Sequence, residues 1–90
     1  MPAYVSLVFT SDFMAAYSDR RLTTADRAAI LRALERLDQD ESHPSLRVHP
    51  LRGRWQGLLA ASASDSLRLR FRRLPGGRKE LLDCSKHYDD

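Results

Sequence analysis

The chain has a single cysteine, Cys84, so no disulfide can form within it, and no second thiol supplies the paired spacing of a zinc site. A small core residue is the expected role for it. Long apolar runs are also scarce: none approaches the length that crosses a bilayer, and Met1-Pro2-Ala3-Tyr4-Val5 lacks a basic segment followed by an apolar stretch. No membrane association is expected, and cytoplasmic residence is. HExxH and paired acidic motifs are missing, as are a phosphate-cradling glycine loop and a serine on a nucleophile elbow. Those absences argue against a two-metal nuclease and favour chemistry with no metal and no cofactor. There is no internal repeat, linker or low-complexity segment, and 90 residues hold one domain, spanning 1–90.

What is present is charge, unevenly placed. The net charge is only +3, yet from His43 to Lys79 nine basic residues (Arg47, Arg52, Arg54, Arg68, Arg70, Arg72, Arg73, Arg78, Lys79) face one acid, Asp65. The rest of the chain has six basic residues against eleven acids. A concentrated positive field attracts polyanions, of which nucleic acid is the commonest in the cytoplasm. An Arg-rich surface that is merely solvated is the plainer reading.

Tyr4-Val5-Ser6-Leu7-Val8-Phe9 has strand composition and runs into Thr10-Ser11-Asp12, residues that open helices. A short helix follows, holding Phe13 to Tyr17. A second begins near Thr23-Thr24, where Asp26 completes a capping-box pattern, and Ile30, Leu31, Leu34 and Leu37 form its apolar stripe. His43-Pro44 stops it, because a residue before proline avoids helical geometry. Beyond, the period changes to two. Leu46-Arg47-Val48-His49 alternates, Gly57 to Ala63 is small and apolar, and Leu67–Arg73 with Arg78–Cys84 flank the turn signal Pro75-Gly76-Gly77 as a hairpin. The expected fold is α+β: two N-terminal helices packed on a twisted, mostly antiparallel sheet of four to five strands.

In Leu67-Arg68-Leu69-Arg70-Phe71-Arg72 a period of two sends three apolar residues to the core and three arginines to the opposite face. Aligned arginines repel one another, so an anion or acidic partner spanning the face is one reading and a solvated strand face the other. Guanidinium groups suit phosphate through paired N–H donors. Three histidines accompany this block. His43, before a proline, reads as a surface turn residue. His49 and His87 flank the block, and an antiparallel sheet can bring such positions together. Cleaving RNA through the ribose 2′-hydroxyl needs one group to remove that proton, another to protonate the leaving 5′-oxygen, and positive charge on the phosphate. Two histidines near a pKa of about 6.5 suit the proton transfers, and Arg68 suits the phosphate. Taken singly, each is more often a hydrogen-bonded structural residue.

The segment Ser45-Leu46-Arg47-Val48-His49-Pro50-Leu51-Arg52-Gly53, then Gly57, then Ser66-Leu67-Arg68-Leu69-Arg70-Phe71, resembles the central signature of RelE-type toxins, in particular the YafQ-like branch. The order of elements matches over essentially the whole chain. The resemblance implies a RelE-like fold and a ribosome-dependent mRNA endonuclease of a type II toxin–antitoxin pair. It also implies the partners: a cognate antitoxin, the ribosome and mRNA, and operator DNA for the toxin–antitoxin complex. His49 and His87 fall at the catalytic histidines of YafQ-like members, Arg68 at the arginine on the scissile phosphate, and Asp65 near an acidic site residue. Arg47, Arg52, Arg54, Arg70 and Lys86 would bind RNA. Two departures stand out. The tail Lys86-His87-Tyr88-Asp89-Asp90 replaces His-Asp-Glu-Val-Tyr, with Tyr88 in place of the terminal aromatic, and Leu58 to Ser62 lacks an aromatic often found there. Either Tyr88 takes over the stacking role or base stacking is weaker, and reduced activity, with the acidic end disfavouring RNA near the site, is one expectation from these departures. Alternatives are a ParE-like gyrase-inhibiting toxin, which shares the fold without needing the histidine pair, and a non-catalytic module that meets RNA or an antitoxin through its arginines. The antitoxin is expected to be acidic or amphipathic, lying across the arginine face or displacing the tail that carries His87.

Overall fold

A computed structural model describes residues 4–86. The order of elements is β1 (Leu7–Phe9), α1 (Ser11–Tyr17), α2 (Thr24–Gln39), β2 (His49–Pro50), β3 (Leu59–Ser62), β4 (Leu67–Leu74) and β5 (Arg78–Lys86). The five strands form one sheet in the order β1-β5-β4-β3-β2. Only the β1–β5 pairing is parallel. The first strand thus joins the sheet beside the last, as an α+β fold with its helices on one face.

Local chemistry explains each boundary. Thr10 caps α1, its Oγ1 accepting from Phe13 N at 3.0 Å while its hydroxyl donates to Leu81 O on β5 at 2.8 Å. Thr23 and Asp26 form the reciprocal capping box of α2. The loop between the helices is pinned by Arg27, whose guanidinium donates to the carbonyls of Tyr17, Asp19 and Leu22 at 2.7–2.9 Å. Ala29, Ile30, Ala33, Leu34 and Leu37 are the buried stripe of α2. They meet Leu67, Leu69 and Phe71 of β4 and Leu81 and Cys84 of β5 in one core. β1 is tied to α2 by Asp38, whose carboxylate accepts from the backbone N–H groups of Val5 and Ser6 and from the Ser6 hydroxyl.

The region before β2 departs from the alternating strand expected at Leu46–His49. Pro44 starts a 3-10 turn over Pro44–Leu46, and Arg47 ends it in the left-handed region at φ 47°. Only His49 and Pro50 remain to pair with β3. So short an edge strand, ended by a proline, offers little to a neighbouring chain. The β4–β5 hairpin turns at Gly76 and Gly77, both with positive φ, where a side chain would be strained. No helix among the described residues is long and apolar enough to cross a membrane.

Candidate active site

Cross-strand pairing in an antiparallel sheet puts partners on the same face, so the register lays out the surface opposite the helices. His49 pairs with Ala60, Ala60 with Arg70, and Arg70 with Asp83, one row across four strands. The next row is Ser62, Arg68 and Ser85, and the row on the other side carries Arg72 with Glu80. At ~4.8 Å between strands, His49 and Arg70 stand ~10 Å apart along the row, with Arg68 one row further. Asp65 is exposed in the β3–β4 turn, beyond Arg68. One face therefore gathers His49, Arg68 and Arg70, with Asp65 at its end.

His49 is exposed, and its Nδ1 lies 2.9 Å from the carbonyl oxygen of Arg47. A carbonyl oxygen only accepts, so in the neutral ring the proton sits on Nδ1 and the lone pair on Nε2. The left-handed turn at Arg47 precedes that contact. Among the described residues Nε2 has no partner and faces solvent as an available base. His43 is the opposite case: its Nδ1 accepts from Ser45 N at 3.2 Å, capping the 3-10 turn.

Acids of the same sheet meet two of the three arginines on β4. Arg70 Nε donates to Asp83 Oδ1 at 2.8 Å, and Arg72 is ion-paired with Glu80. β5 supplies an acid opposite two of the three arginines, which gives their alignment an internal reason. In the register Arg68 stands opposite Ser85, and Arg47, Arg52 and Arg54 of the β2 region are exposed. Lys86 does not join them. It pairs with Leu67 on the core side of the sheet, and its ammonium meets Asp26 of α2 at 2.9 Å. His87 and Tyr88 lie outside the described residues.

Trp55 was missed in the sequence, although it is an aromatic set between basic residues. The loop from Leu51 to Leu58 closes on itself, Leu51 N donating to Leu58 O at 2.9 Å. It carries the indole to the arginine face, 4.4 Å from the Arg70 guanidinium and 5.2 Å from that of Arg54, measured to the ring centroid. Asp83 was missed too, though its alternation on the last strand could have revealed it. A 250 Å³ cavity lies beside this pair, lined by Arg70, Asp83, Ser85 and Lys86 from the strands and by Asp19 and Arg21 from the helix loop.

No family model and no curated protein matches the sequence. Solved structures do match in shape. A chain of the RelBE2 toxin–antitoxin complex from Mycobacterium tuberculosis superposes with a TM-score of 0.72 at 19% identity, over 93% of this chain and 99% of that one. The YoeB/ParE toxin from Agrobacterium tumefaciens gives 0.72 at 22% identity, over 93% and 100%. A chain of the YoeB–YefM complex from Staphylococcus aureus gives 0.71 at 15% identity, over 96% and 100%. A mutant of YafQ from E. coli gives 0.72 at 13% identity, over 89% and 90%. From β1 to β5 this chain has the fold of the RelE, YoeB and YafQ toxins.

Proposed function

We propose that the chain is the toxin of a type II toxin–antitoxin pair and cuts mRNA on the ribosome by metal-free acid–base chemistry. The observation that carries this reading is His49, held in one tautomer with Nε2 open on the face that also bears Arg68 and Arg70. Nε2 takes the proton of the ribose 2′-hydroxyl, whose oxygen attacks the adjoining phosphate. Arg68, with Arg70 beside it, stabilises the crowded phosphorane. His87 is assigned to protonate the departing 5′-oxygen, with Asp65 and Tyr88 as further members of the site. Arg47, Arg52 and Arg54 follow the RNA backbone. Lys86, committed to Asp26, is left out of that set. The partners are an antitoxin that covers the arginine face, the ribosome with its message, and operator DNA for the complex, all in the cytoplasm. Solved neighbours of the same fold include two toxin–antitoxin complexes, which supports the antitoxin.

The test is to induce the chain alone and map the 5′ ends of a translated and an untranslated copy of one message. Cuts are expected only in the translated copy, and none with His49→Ala. Growth arrest that persists in His49→Ala and in His87→Ala would transfer the chain to the gyrase-poison or binding-module reading.

A further inference from the structure

Arg70 differs from its neighbours in how it is held. Its only hydrogen bond among the described residues leaves from Nε to Asp83, at 2.8 Å. Arg72 is engaged through a terminal nitrogen by Glu80, and Arg73 through Nε and a terminal nitrogen by Glu41. A guanidinium has five N–H donors, so contact through Nε alone leaves the end-on pair of terminal groups, the pair that grips a phosphate. The Trp55 ring lies against the same guanidinium at 4.4 Å. Both contacts fix a side chain that remains 26% exposed. A flexible arginine loses rotamer freedom when it binds, and one already fixed loses less.

We propose that Trp55 and Asp83 are positioning residues that clamp Arg70 so that its terminal nitrogens meet a phosphate of the bound RNA; this rests on the endonuclease reading above. The clamp has an electrostatic oddity that makes it testable. Asp83 is an anion beside a site for an anion. Were it only a neutralising cross-strand partner, its removal would strengthen RNA binding. As part of a clamp, its removal weakens binding.

The experiment measures affinity of the full-length chain for ribosomes programmed with a message methylated at its 2′-hydroxyls, which can be bound but not cut. Arg70→Ala and Asp83→Ala should each bind roughly tenfold more weakly, the scale of a hydrogen bond to a charged group. Asp83→Asn, which keeps the acceptor for Nε–H and drops the charge, should bind at least as tightly as the native chain. Trp55→Ala should weaken binding in the native background and add nothing in the Arg70→Ala background, the signature of one shared interaction. Trp55→Phe should recover much of the loss. Melting curves of each variant separate these effects from unfolding. Asp83→Ala binding as tightly as the native chain, or Trp55→Ala costing as much without Arg70 as with it, overturns the clamp and leaves the endonuclease reading standing. A native chain that does not bind programmed ribosomes overturns both.

Discussion

Cys84 shows how environment sets the chemistry of one side chain. Burial pushes its thiol up to about 11, with the nearby Asp83 carboxylate adding to the rise. That leaves roughly a hundredfold less thiolate at neutral pH than an ordinary thiol has. Thiol reagents are therefore expected to label the folded chain very slowly at pH 7.5 and the denatured chain quickly, a contrast read by mass spectrometry. Equal rates would place the thiol in solvent. The core role of Cys84 was legible from its solitary occurrence, because one thiol among apolar neighbours has little else to do. His49 was legible as a candidate from its place in the basic block. Its tautomer was not, since that depends on a left-handed turn at Arg47, a conformation that the residue type does not announce.

The elements were read with uneven success, for a consistent reason. Both helices carry their own start signals, Thr10 and the Thr23–Asp26 box, and lie where local sequence placed them. Thr23→Ala should lower stability by about 1 kcal/mol, the usual value of an N-cap, seen as a reduced melting temperature with unchanged helix content in the folded state. No change would mean that tertiary packing alone holds the α2 terminus. The β4–β5 hairpin was equally legible through Pro75-Gly76-Gly77. The strand expected around Leu46–His49 dissolved into a 3-10 turn because Pro44 favours a helical start, a local preference stronger than four residues of alternation. The arginine face was read correctly as a face and incompletely as a field. Alternation on β4 decides which way its side chains point, whereas the acids opposite them depend on the register with β5. A bulge sets that register: the pairing shifts between Arg70 and Phe71, so that Asp83 and Glu80, three apart in sequence, both meet arginines.

Across the whole molecule, carboxylates with lowered pKa link stability to pH. Arg21 holds Asp19 down to about 2 by hydrogen bonding, and Arg73 likewise lowers Glu41. Burial of Asp38 opposes its ionisation, but the N–H groups of Ser6 and Val5, the Ser6 hydroxyl and Lys79 outweigh that and bring it below its ordinary 3.8. Each group binds its proton more readily when unfolded, so its contribution is complete above the unfolded values and disappears as pH falls through the folded ones. The melting temperature should thus hold from neutrality to about pH 5 and drop from about pH 4 toward pH 2. Asp38→Asn should shallow that drop, and an unaltered acid limb would remove Asp38 from the linkage. The parallel pairing of β1 with β5 has a consequence in time as well as space. Synthesis delivers Leu7–Phe9 about seventy residues before their partners Lys79–Leu81. At about 5–20 residues per second the helices wait several seconds for the sheet that they cover. On the proposed activity, a copy still lacking β5 has no finished groove with which to attack the machine producing it, and each molecule becomes dangerous only once that strand has been made.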